Sequence, residues 1–267
     1  MEDKKTKHHR GRRKKKNSFL SNIILVIAVI TFLYSGYQLY GIMADYKEGE
    51  DEYEEIKEMV ITEAFTEVEE EVEPEFKVDF DKLLALNDDV VGWIKFDEPA
   101  QISYPIAHGT SNNQYLRKTL EGKRNTAGTI FVDYLNKGDF SDENTFIYGH
   151  NMRNNTMFGQ LKKYRDKEFY DQYPYFYIYT PDGRKTTYEI FAIRAVEDTS
   201  DAFQIGYGNE EGFQKYLDLA RKQSLYQTDV EVPVDSKIVT LSTCIRGQSD
   251  KRLLIHAVAV NESLPEE

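Results

Sequence analysis

Between Phe19 and Tyr40 the chain runs FLSNIILVIAVITFLYSGYQLY without a charged side chain. At 1.5 Å per residue such a run makes about 30 Å of helix, the thickness of a bilayer's hydrocarbon core. It predicts a transmembrane signal-anchor helix over residues 18–43. A cleaved secretory signal is the alternative, but its apolar region is only about 7–15 residues long and ends at small residues. This run is longer and closes with Tyr34, Tyr37 and Tyr40, side chains suited to an interfacial aromatic belt. Residues 1–17, MEDKKTKHHRGRRKKKN, carry nine Lys or Arg against two acidic residues. The positive-inside rule keeps this basic tail in the cytoplasm and sends the rest of the chain outside, giving a single-pass protein of the cell membrane in contact with its lipid.

The charge balance is polarised in the other direction beyond the helix. The full chain has 34 Lys plus Arg, 46 Asp plus Glu and a formal net charge of −12. That argues against a surface built to neutralise nucleic-acid phosphates, so no nucleic-acid partner is expected. Residues 44–78 are dominated by Glu and Asp and hold few large apolar groups. Such a stretch buries too little to offset its ordering entropy, which predicts an extended, self-repelling spacer. A short helix over Glu48–Met59 would need a partner to be stable.

Past Val78 the pattern becomes short apolar runs rich in β-branched and aromatic residues, separated by turn residues. Strands are predicted at Val90–Ile94, Ile102–Ile106, Thr129–Val132, Thr145–Tyr148, Phe176–Thr180, Thr187–Val196, Lys237–Thr243 and Arg252–Val260. The sequence Thr180-Pro181-Asp182-Gly183 has turn chemistry and should join its flanking strands in a hairpin. Helices fit Asp81–Asn87, Met157–Tyr164 and Glu210–Ser224, the last with an apolar stripe of Phe213, Tyr216, Leu217, Leu219 and Ala220. Many short strands with few long helices point to one mainly β domain over residues 79–261, a barrel or sandwich with helices attached, followed by a tail at 262–267.

The chain has one cysteine, so an intramolecular disulfide and a thiolate zinc cluster are both excluded. Cys244 ends the strand beginning at Lys237 and opens the polar segment Ile245–Asp250. A thiol there is held by rigid structure yet reachable, as a nucleophile must be; a buried thiol acting as a small apolar group is the alternative, and position alone leaves both open. Arg252 starts the next strand, and antiparallel pairing would bring its guanidinium beside the thiol, favouring thiolate and able to hold an oxyanion. Of five histidines, His8 and His9 belong to the basic tail. His150 follows a strand in YGHNM and so matches the placement of Cys244. His256 shares a strand face with Arg252 but lies about 13 Å along it, and His108 reads as a loop polar group. Cys244, His150 and Arg252 together suffice for acyl transfer. No metal cluster is apparent, and the Glu-rich stretch lacks the spaced ligands and Gly of a calcium loop.

Thr240-Leu241-Ser242-Thr243-Cys244, with Tyr148-Gly149-His150-Asn151-Met152 before it and Arg252 after it, resembles the sortase family, and its class B in particular. Supporting stretches are VGWI at 91–94, ISYPI at 102–106, NQYL at 113–116, GTIFVD at 128–133 and the helix before the cysteine strand. The resemblance covers about residues 80–260. It implies an eight-stranded β-barrel and a transpeptidation in which Cys244 attacks the Thr carbonyl of a C-terminal sorting signal, LPxTG or NPxTN in type, on secreted surface proteins of Gram-positive bacteria. A thioacyl enzyme forms, and a peptidoglycan amine then takes the acyl group. His150 would be general acid and base, and Arg252 would steady the oxyanion. Ser242 and Tyr148 match positions lining the substrate groove, and no cofactor is implied. The segment IRGQSDK after Cys244 departs from the family in lacking an acidic residue directly after the cysteine. Three further readings remain at this stage: a pilin-polymerising sortase, a hydrolytic sortase, and a silent surface-binding module with a buried thiol.

Overall fold

The protein is described by a computed structural model over residues 18–64 and 75–263. The basic tail, the middle of the acidic stretch and the last four residues lie outside the described residues. The chain divides into two units at Ala44. In the first, helix α1 (Ser18–Val60) begins; it is long and apolar enough to cross a membrane, and its large side chains here, from Phe19 to Met43, are exposed.

The second unit starts at Asp45 with the remainder of α1. The extended spacer expected from residue 44 onward is not what these residues form. Residues 45–60 are helical, and Tyr53, Ile56 and Val60 are buried in the main apolar core. The spacing of those three puts them on one helical face, so the barrel is the partner that an isolated acidic helix would lack. Glu52 is buried beside them, accepting from the Glu121 N–H at 3.4 Å and facing Lys123 Nζ at 3.4 Å. Strands β1 (Ile61–Ala64) and β2 (Glu75–Val78) then form a small antiparallel sheet, also within the expected spacer. Helix α2 (Phe80–Leu86) follows, capped by the Asp79 carboxylate on Lys82 N–H.

Eight strands close into a barrel: β3 (Val90–Lys95), β4 (Ser103–Ala107), β5 (Ile130–Val132), β6 (Asn144–Tyr148), β7 (Tyr175–Tyr179), β8 (Lys185–Glu197), β9 (Ile238–Ile245) and β10 (Gln248–Ser263). Their order around the barrel is β10-β8-β7-β3-β4-β5-β6-β9. Each predicted strand is present with its ends moved by a few residues. Pairing is antiparallel except between β4 and β5 and between β6 and β9. The predicted hairpin joins β7 to β8, with Gly183 at φ +84° and its N–H bonded to Thr180 C=O at 2.9 Å. Where a helix is expected over Met157–Tyr164 there is only a 3₁₀ turn, Leu161–Arg165; Met157 itself, at φ +53°, is outside the helical region. A short helix α3 (Lys167–Gln172) that the sequence reading lacked comes next.

Between β8 and β9 the chain passes through a 3₁₀ turn, Asp201–Phe203, and helix α4 (Glu210–Lys222), which packs on the outside of the barrel. Its buried Phe213, Tyr216, Leu217 and Ala220 meet Phe191, Ile238 and Val258 in an apolar cluster separate from the barrel interior. Full burial of a side chain the size of Phe213 stabilises this docking by about 1.5–3 kcal/mol.

Candidate active site

Along β9, Val239 and Leu241 belong to the barrel's inner core, whereas the alternate residues Thr240, Ser242 and Cys244 share the other face. Cys244 is exposed and unpaired, which removes the buried-thiol alternative. On one side of it β10 runs antiparallel with Arg252 directly opposite, as the sequence spacing required. On the other side β6 runs parallel with Tyr148 opposite Ser242, so the chain leaves β6 toward His150 at the same barrel end where β9 reaches Cys244. The three candidate residues thus come from three adjacent strands at one barrel end.

The chain beyond β6 is stitched to β9 residue by residue. Gly149 N–H donates to Ser242 C=O at 3.2 Å, Thr243 Oγ1 donates to Gly149 C=O at 2.7 Å, Asn151 Nδ2 donates to Cys244 C=O at 2.8 Å, and Arg246 Nη2 donates to Met152 C=O at 3.3 Å. Gly149 is required for close approach: a Cβ there would stand 2.5 Å from the Phe158 ring. His150 Nε2 is 2.7 Å from the Leu116 carbonyl oxygen. The Arg252 guanidinium donates to Ser249 C=O at 2.8 Å, Lys251 C=O at 3.1 Å and the Asp198 carboxylate at 3.1 Å.

The two expected groove residues differ in setting. Ser242 is buried and its hydroxyl has no partner. Tyr148 is half-buried, and its hydroxyl donates to Asp133 Oδ2 at 2.8 Å; burial first, then the Asp133 charge, push its pKa far up, so it stays a neutral donor. His256 is fully buried away from the thiol, between Arg194 Nε at 3.0 Å and Thr240 Oγ1 at 2.9 Å. Burial and then the Arg194 charge hold its pKa well below the usual imidazole range. His108 is part-buried with its Nε2 unpartnered. Sequence reasoning missed Asn151, Asp198 and the Leu116 carbonyl. The first could have been suspected from its place next to His150, whereas the other two are brought in by loops from elsewhere in the chain. Among the described residues no group of three or more His, Cys, Asp or Glu could hold a metal ion.

A family model for the sortase domain matches residues 98–260, and sortase B of Listeria monocytogenes is 34% identical over 229 residues, 85% of this chain and 90% of that protein. The chain belongs to the sortase family, class B. Sortase B of Staphylococcus aureus is 29% identical over 245 residues, covering 90% of this chain and 96% of that protein. Among solved structures, sortase B of B. anthracis in complex with AAEK1 aligns at a TM-score of 0.71 and 30% identity, over 82% of this chain and all of that one. A Staphylococcus aureus sortase B–substrate complex aligns at 0.64 and 30% identity, over 68% of this chain and 84% of that one. The eight-stranded barrel is the sortase B barrel, and the protein is a cysteine transpeptidase.

Proposed function

We propose that α1 anchors the protein in the cell membrane with its N-terminus in the cytoplasm and its barrel outside. There it cleaves an LPxTG- or NPxTN-type sorting signal on secreted surface proteins and passes them to a peptidoglycan amine. Cys244 sulfur attacks the Thr carbonyl, the oxyanion collapses, and the leaving amine takes a proton from the His150 imidazolium. The thioacyl carbon is then attacked by the acceptor amine, which gives its proton to His150 as the carbon–sulfur bond breaks. Arg252 and nearby backbone N–H groups hold the oxyanion.

The observation that carries this reading is the register: Arg252 pairs with Cys244, and parallel pairing of Tyr148 with Ser242 leads the chain to His150 at the same edge. For Arg252 to serve, its guanidinium must exchange Asp198 for substrate oxygen. Both partners are partly exposed, so that exchange costs at most about 1 kcal/mol and does not oppose the role. Tyr148 is assigned to the groove wall through its ring, and Ser242, which is buried with its carbonyl bonded to Gly149 N–H, is assigned to support that wall from behind. The test is to incubate the purified chain with LPxTG and NPxTN peptides, with and without triglycine, and to weigh both enzyme and products. A thioacyl adduct on Cys244 and an amine-linked product are expected. Water-cleaved product alone would assign a hydrolase, and no adduct with any peptide would end the proposal.

A further inference from the structure

His150 is held by a group outside the catalytic trio. The Leu116 carbonyl lies 2.7 Å from its Nε2, and a carbonyl oxygen can only accept a hydrogen bond. Nε2 must therefore carry hydrogen whether the ring is neutral or charged. Nδ1 has no hydrogen-bond partner among the described residues.

The Leu116 carbonyl is itself fixed from behind. Gly128 sits at φ +61°, and a Cβ there would stand 2.8 Å from the Leu116 oxygen and 2.6 Å from the Tyr115 oxygen, so only glycine lets the two segments close. Two bonds clasp them: Thr129 N–H to Tyr115 C=O at 3.0 Å and Thr129 Oγ1 to Lys118 C=O at 2.8 Å. The buried Tyr53 of α1 completes the clasp, its hydroxyl donating to Gly128 C=O at 2.6 Å. A further contact ties the same helix to the loop after the histidine, Asn154 Nδ2 to Glu50 Oε2 at 3.4 Å.

We infer that the Leu116 carbonyl fixes His150 as the Nε2–H tautomer, that Nδ1 is the nitrogen exchanging protons in catalysis, and that Gly128 and Tyr53 are positioning residues for that carbonyl. The inference rests on the acid–base role proposed for His150. In the first half-reaction Nδ1–H of the imidazolium gives its proton to the amide nitrogen as the carbon–nitrogen bond breaks, leaving a neutral ring and a thioacyl enzyme. In the second, the acceptor nitrogen attacks, the thiolate leaves, and Nδ1 takes the proton the new amide sheds. Nε2 keeps its hydrogen throughout, and the Leu116 oxygen stabilises the charged ring. The part of α1 beyond Asp45, expected to be a mere spacer, thereby becomes a support of the active site.

Long-range ¹H–¹⁵N correlation on the full chain in detergent micelles, labelled at histidine, reads the tautomer directly, with His150 assigned by its disappearance in His150→Gln. The expected spectrum, recorded at a pH at which the ring is neutral, is Nε2–H for wild type and a mixture of tautomers in Gly128→Ala. That variant should lose on the order of tenfold in kcat on sorting-signal peptides with triglycine as acceptor, with KM nearly unchanged, as for a misplaced acid–base group. Should Gly128→Ala fail to fold, Tyr53→Phe keeps the ring packing and removes only the clasp's hydroxyl; it should move tautomer and kcat in the same direction by less. A wild-type Nδ1–H tautomer, or pure Nε2–H at wild-type kcat in the folded variants, overturns the inference. Full turnover by His150→Gln would instead refute the proposed acid–base role, whatever the tautomer.

Discussion

Replacing His256 by Gln should flatten the acid side of the stability curve without touching the catalytic residues. His256 is fully buried, takes a hydrogen bond from the Arg194 guanidinium, and has its pKa pushed well below the ordinary 6.5 by burial and then by that charge. The unfolded chain therefore binds a proton near pH 6.5 that the folded chain refuses. The folded-state pKa is the lower one, so stability is intact above the unfolded value and is lost as pH falls. Below the unfolded value the loss grows by up to roughly 1.4 kcal/mol per pH unit for as long as the folded ring stays neutral. Gln keeps a donor and an acceptor for Thr240 and Arg194 but does not titrate. Trp93, the chain's only tryptophan and fully buried, reports unfolding in denaturant by fluorescence. The measured quantity is the difference between wild-type and variant stability as a function of pH, in which carboxylates common to both cancel. A constant offset with no pH dependence would show that His256 titrates alike in the folded and unfolded chain, and wild-type stability rising relative to the variant as pH falls would show a ring charged in the fold; either result would make the reasoning from burial wrong.

Cys244→Ala should abolish thioacyl formation while shifting stability by no more than about 0.5 kcal/mol, because the side chain is exposed; thermal unfolding and intact mass after peptide incubation check both halves. Arg252→Ala should lower kcat/KM by about 10²–10³, as for loss of one oxyanion donor, and steady-state kinetics with saturating triglycine reads it. Phe213→Ala, fully buried beneath α4, should cost about 3–5 kcal/mol by denaturant midpoint, more than any substitution in the exposed site.

The eight barrel strands were legible because each is a short run of β-branched and aromatic residues between turn residues, and the β7–β8 hairpin because Pro181 and Gly183 dictate a turn. What periodicity did not reveal is context. The acidic residues 45–60 bury three core side chains, Tyr53, Ile56 and Val60, with Tyr46 packed partly against the same core, and hold a helix by finding the barrel. Within the site, the pairing of Cys244 with Arg252 could be read from an eight-residue spacing across a hairpin. The neighbourhood of Cys244 and His150 could not, because it depends on β6 lying parallel to β9, a contact between segments about a hundred residues apart that no local pattern encodes.

Where the nucleophile emerges is decided by what covers the strand, and this too is a property of the fold. On the face of β9 that carries Cys244, Thr240 and Ser242 are buried and Cys244 is exposed. The cover is the β8–β9 connection. Tyr216 of α4 packs on His256, which pairs with Thr240 across the strands, and Asn144 joins Thr240 to Tyr207 and Tyr216 through hydrogen bonds of 2.8–3.1 Å. Farther along, Ala202 and Phe203 pack on Leu254, which pairs with Ser242. Beyond that row the connection's contact with the β10 side narrows to polar contacts, Asp198 N–H to Asp250 C=O at 2.8 Å and its carboxylate to Arg252, and the thiol one row on is open. A strand that is buried on both faces for six residues therefore ends in a reachable sulfur because the helix and turn laid over it stop two residues short, so the same connection that stabilises the barrel also sets the boundary of the active site.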